Sequence, residues 1–162
     1  MRRYFAGLVV VGLVGLALAT IASGATPPAS SRFSGTGGNY RNQSSSWVRH
    51  GTASFSFRIS SRNYSPGRRY VDDFRGTYST ACSSHTLRLS ATGIPVHKNG
   101  TFVLRFHDSG AWVKIWGAFR GQGGRRANVN YLANFSRSQS DNQRSPGSLG
   151  CAAWVRGTAH AR

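Results

Sequence analysis

From Ala53 to Ile59 the chain alternates apolar and polar residues one by one. Ala53, Phe55, Phe57 and Ile59 point one way, and Ser54, Ser56 and Arg58 point the other. A period of two is the signature of a half-buried strand, because successive side chains leave opposite faces of a pleated backbone. The same alternation recurs downstream in six more inner rows: Phe74 to Cys82 through Gly76, Tyr78 and Thr80; Leu87, Leu89 and Ala91; Phe102, Leu104 and Phe106; Val113, Ile115, Gly117 and Phe119; Ala127 to Phe135 through Val129, Tyr131 and Ala133; and Cys151 to Ala159 through Ala153, Val155 and Gly157. Between these rows lie Gly, Ser and Asn turns, and no stretch sustains a helical period. Phe33 opens a further strand at the front of the domain. The pattern predicts an all-β fold, an antiparallel β-sandwich, immunoglobulin-like or similar, of seven to eight strands.

One turn can be placed to the residue. Val96 and Phe102 flank His97-Lys98-Asn99-Gly100-Thr101. A two-residue Asn-Gly turn would set Val96 and Phe102 on opposite faces. A three-residue loop, Lys98-Asn99-Gly100 with Gly100 in the left-handed region, pairs His97 with Thr101 and lets both apolar residues enter the core. A slip of one residue turns every side chain over, so the three-residue loop is the one predicted.

The chain opens Met1-Arg2-Arg3-Tyr4, continues from Phe5 to Ala22 without a charge, and then passes through small residues to Ala25, ahead of Thr26-Pro27-Pro28. A basic start, an apolar middle and a small-residue exit describe a helical signal peptide over residues 1–25, cut between Ala25 and Thr26; cleavage after Ala22 would place Thr20 and Ala22 at the two positions that must be small. Left uncleaved, the segment would be the chain's only tie to a membrane. Residues 26–45, rich in Pro, Ser and Gly, read as a flexible tether. Residues 46–162 form the secreted domain, with a long Ser-rich loop at 136–150. The location implied is secreted, extracellular or cell-wall associated. Cys82 and Cys151 are the only cysteines, and an even count outside the cytosol reads as one disulfide. Neither cysteine has the closely spaced Cys or His that a zinc site needs.

Charge changes the picture most. The full chain has 21 Lys plus Arg against 4 acids, Asp72, Asp73, Asp108 and Asp141, for a net charge of +17 and no Glu. Removing Arg2 and Arg3 with the signal leaves +15. Solubility asks for a magnitude of only about 2–8. The excess attracts polyanions without regard to sequence, and outside a cell these are extracellular nucleic acid, anionic wall polymer or anionic lipid heads. No specific protein partner and no cofactor is implied.

The order Phe33-Ser34-Gly35, Phe55-Ser56-Phe57, Val71 to Phe74 leading to Cys82, Ile94-Pro95-Val96 with Asn99-Gly100 and Phe102, Val113 to Phe119, and Cys151 with Trp154 resembles a group of small secreted two-cysteine β-sandwich proteins predicted from actinobacterial genomes. The resemblance covers most of residues 33–162. It implies an exported single domain with a structural disulfide and transfers no functional residues. The Ser-rich span before Cys151 is longer than in that group.

Ser, His and Asp are all present, so a hydrolase must be weighed. His107 and Asp108 are adjacent, and adjacent strand residues face opposite ways. No Gly-x-Ser-x-Gly elbow occurs. Asp72-Asp73, following Arg68-Arg69, reads as a surface charge pair. No catalytic or metal residues are assigned. The more informative pattern lies opposite the core rows. Trp112, Lys114 and Trp116 alternate with Val113 and Ile115; Trp154 and Arg156 alternate with Ala153 and Val155; Arg105 opposes Leu104 and Phe106. If these strands are neighbours, flat rings and cations line one outer face, a combination suited to polymers that bear phosphate, bases or sugar rings. The expectation is a basic, noncatalytic domain that binds anionic polymer, with a secreted hydrolase or a purely structural wall protein as the alternatives.

Overall fold

The computed structural model describes residues 24–43, 46–61, 67–108, 111–135 and 151–162. The expected signal helix, apart from its last two residues, and the expected loop at 136–150 lie outside the described residues. Nine strands are described: β1 (Arg32–Gln43), β2 (Ser46–Ser61), β3 (Arg69–Tyr78), β4 (Leu87–Ala91), β5 (Ile94–Val96), β6 (Thr101–Asp108), β7 (Ala111–Arg120), β8 (Arg126–Phe135) and β9 (Ala152–Ala161). Most positions of the alternating rows named above become inward faces, while Cys82 and Phe106 are exposed. Ala53, Phe55, Phe57 and Ile59 are buried, as are Val113, Ile115 and Phe119, and Val129, Tyr131 and Ala133.

The two-sheet sandwich expected from those rows is not what they build. The strands form one antiparallel sheet in which sequence neighbours pair in turn, and the first strand pairs with the last, from Phe33 opposite Ala161 to Arg41 opposite Ala153. β4 and β5 share one edge of β3, opposite residues 74–78 and 69–71 respectively. The sheet therefore closes on itself as an up-and-down barrel of eight walls. Closure leaves β4 and the part of β6 beyond Phe102 without a ladder on one side, fewer free edges than a sandwich would have.

The interior is filled rather than hollow. Phe33 stacks on Phe57 with centroids 5.0 Å apart, and Phe119 meets both. Phe74 and Phe55 pack against Tyr131. The Phe102 ring lies over Gly117, its cross-strand partner on β7, where a Cβ would stand 2.5 Å from the ring. Each buried aromatic contributes roughly 1.5–3 kcal/mol over its exposed state.

The tether expected over 26–45 is largely ordered. Its second half is β1, and Pro27 is buried at one end of the barrel. There Ala25 N–H donates to the Phe119 carbonyl and Ser30 N–H to that of Ile59. The strand was faint in sequence because its inward positions after Phe33 are Gly35, Gly37 and Asn39. The Val96–Phe102 turn forms as predicted: Val96 faces Phe102, His97 N–H donates to Thr101 O at 2.8 Å, and Gly100 has φ 75°.

The other end is laced shut. Cys82 and Cys151 form a disulfide with Cα atoms 5.2 Å apart. The buried Asn39 amide donates to the Ser79 carbonyl and hydroxyl and accepts from Ser79 N–H, each at 3.0 Å. Tyr131 O–H donates to the Thr77 carbonyl.

The Asp72-Asp73 doublet is not a surface pair with Arg68-Arg69. Asp72 is 6% exposed and accepts from Thr92 Oγ1 at 2.8 Å, Gly93 N–H at 2.6 Å and Ser60 Oγ. Asp73, at φ 49° in a bulge opposite Phe57, pairs with Arg58 at 2.7 Å. A short acidic side chain tolerates the left-handed conformation that a bulge needs.

Candidate binding face

The pairing register brings the six expected face residues onto contiguous walls. Their strand positions have the opposite parity to Val113, Ile115 and Val155, whose side chains fill the core. They therefore stand on the outside of the barrel. One cross-strand row runs Arg105, Lys114, Leu132, Trp154, Tyr40 over β6, β7, β8, β9 and β1. The next runs Val103, Trp116, Asn130, Arg156, Gly38. Trp112 stands opposite His107 on one side and Asn134 on the other. Trp112, Lys114, Trp116 and Trp154 are all half-buried, with Arg105 and Arg156 exposed.

Within this face Lys114 Nζ lies 4.7 Å from the centroid of the Trp116 ring, a cation–π contact worth about 0.5–1 kcal/mol at an exposed position. Arg105 sits directly across from Lys114. Like charges in that relation repel, and β1, β7, β8 and β9 contain no acidic residue. Asp72 and Asp73 are on β3, which is four strands from β8 in either direction around the ring. Among the walls of this face the one acid is Asp108, at the last position of β6 and three residues along from Arg105.

Sequence reasoning missed two aromatic members of the face, Tyr40 and Trp47. The Tyr40 ring packs 5.3 Å from Trp154, and Trp47 meets Trp154 edge to face. Trp47 shares odd parity with the inward Ala53, so simple alternation would turn it toward the core. A bulge at His50–Gly51, with Gly51 at φ 95°, places two residues opposite Asn39 and reverses the parity. The signal was Gly51 itself, a glycine interrupting a strand pattern.

His107 lies on the outer surface opposite Trp112, and Asp108 pairs in the ladder with Ala111 at the β6–β7 turn. Among the described residues no group of three His, Cys, Asp or Glu side chains is placed to hold a metal ion. Comparison with family models, with curated proteins and with solved structures finds no match to this chain.

Proposed function

We propose that this is a secreted, noncatalytic β domain that binds anionic polymer, wall polymer or extracellular nucleic acid, through the outer face of β6 to β9 and β1. The observation that carries the reading is Arg105 opposite Lys114 beside three tryptophans, on walls whose one acid, Asp108, is at the end of β6. Two like charges directly opposite each other cost free energy in the free protein, and a phosphate or carboxylate between the two offsets that cost. The neighbouring rings offer flat surfaces to bases or sugars.

Export fits the disulfide, which is compatible with an oxidising compartment. No helix among the described residues is long and apolar enough to cross a membrane. Cleavage between Ala25 and Thr26 would discard the Ala25 N–H bond to Phe119 O, whereas cleavage after Ala22 would keep it. The intact mass of the exported protein distinguishes the two.

The deciding experiment is fluorescence anisotropy of the exported domain with a labelled single-stranded oligonucleotide and with a soluble anionic wall polymer. Binding should be present at low salt, with log K falling linearly against log salt concentration. No binding at low salt, or binding indifferent to salt, would reject the reading. Breakdown of either polymer by the purified domain would reject its noncatalytic part.

A further inference from the structure

The barrel wall is incomplete between β4 and β6. β5 bridges to β6 only at Val96–Phe102, and beyond that point no ladder joins β6 to β4. The cause is the kink at Thr92–Gly93. Gly93 has φ 72°, and the buried Asp72 carboxylate takes both the Gly93 N–H and the Thr92 hydroxyl. That anchor draws the chain toward β3 and keeps it from following β6. Behind the gap is a cavity of about 430 Å³ lined by Leu89, Ala91, Leu104, Phe106 and Val113, with Arg88 among its polar lining residues. Phe106 shares the inward parity of its partner Val113, yet it is 51% exposed, because the wall that would cover it is missing.

We propose that this slot binds a single-chain amphiphile with an anionic head, a fatty carboxylate or an alkyl phosphate. The chain lies on Phe106, Leu104 and Leu89, and the head meets Arg88. The volume falls within the roughly 300–1,000 Å³ of small-molecule sites, which are mostly apolar with a few placed polar groups. Arg88 supplies the one charged group of the described lining, and its guanidinium matches carboxylate and phosphate alike. This site is separate from the Trp116–Lys114 face and does not depend on it.

The test is calorimetric titration of the exported domain with dodecanoate, dodecyl phosphate and dodecanol, each below its aggregation limit. One equivalent of either anion should bind, with a negative heat-capacity change, and dodecanol should bind about tenfold more weakly, a difference of about 1.4 kcal/mol. Arg88→Gln should erase that preference. Phe106→Ser, at a half-exposed position, should weaken all three ligands. Lys114→Ala should leave them unchanged, which separates this slot from the polyanion face. Preference for carboxylate or for phosphate identifies the source as free fatty acid or phospholipid. Absence of one-to-one binding, equal affinity for dodecanol, or anion binding lost with Lys114→Ala but kept in the other two variants would overturn the proposal.

Discussion

Trp47 and Trp154 meet edge to face with centroids 6.0 Å apart and planes at 72°, although they come from strands that are not neighbours in the sheet. β1 lies between them, and its Tyr40 ring, 5.3 Å from Trp154, packs into the same cluster. These rings extend the Trp116–Lys114 patch toward β2. The outer face therefore spans more of the barrel than the rows of β7 and β9 alone would suggest.

Trp154→Ala and Trp116→Ala should each weaken oligonucleotide binding about tenfold, the lower end of the roughly 1–3 kcal/mol for a base stacked on an aromatic side chain. Lys114→Ala should instead reduce the slope of log K against log salt by about one. Anisotropy titrations at several salt concentrations separate the two effects. Unchanged affinity in both tryptophan variants would remove the rings from the binding face.

Asp72 and Asp73 are adjacent and should behave differently. Asp72→Ala orphans donors on Gly93, Thr92 and Ser60 at a buried position, at a cost of about 3 kcal/mol or more, since each unsatisfied buried group costs roughly 1–3 kcal/mol. Asp73→Ala breaks an ion pair whose side chains are 54% and 57% exposed. Exposed pairs contribute about 0–1 kcal/mol. Urea denaturation midpoints at constant slope make the comparison.

Alkaline pH should destabilise the barrel. Burial raises Tyr78 from 10.0 to about 12. Burial also pushes Tyr131 up, reinforced by the nearby Tyr78. Above pH 10 the unfolded chain releases these protons while the folded chain retains them, so stability is full below pH 10 and is lost as pH rises toward and past 12. Tyr131→Phe should flatten that decline. Denaturation midpoints between pH 9 and 12 measure it; a decline equally steep in the variant would mean that Tyr131 is not its source.

Reducing the disulfide should lower stability by about 4 kcal/mol in the chain-entropy model for a loop of this length. The bridged cysteines are 69 residues apart. Cys82→Ser should match reduction with a thiol. Asn39→Ala, which removes three hydrogen bonds to Ser79 at the same end, should cost about 2 kcal/mol. Thermal unfolding with and without reductant resolves the two contributions. If reduction leaves the unfolding temperature unchanged, the lacing at this end comes from the hydrogen bonds alone.

Local pattern was readable where a residue's environment depends on its own strand. The inward rows of Phe55, Val113 and Val129, the Gly100 turn and the cysteine pair all follow from parity, φ preference or count, which are properties of a few consecutive residues. β1 was faint because glycines occupy inward positions where the wall passes close to β9, and Asp72 was misplaced because its partners, Ser60, Thr92 and Gly93, come from two other segments.

Alternation and composition were enough to show that the chain is all-β, which side chains along most strands share a face, and that an exceptional positive charge must be carried on the outside. Tertiary structure alone decided that the sheet closes. Phe33 opposite Ala161 is a contact across the length of the domain, and no periodicity records which distant strand will be a neighbour. It also decided that Arg105, Lys114 and Trp154 fall in one row, that Gly51 turns Trp47 onto the same face, and that Asp72 gathers Ser60, Thr92 and Gly93 around one carboxylate. These outcomes depend on register and on bulges. A shift of one residue reverses every side chain that follows, and only pairing across the sheet sets the register.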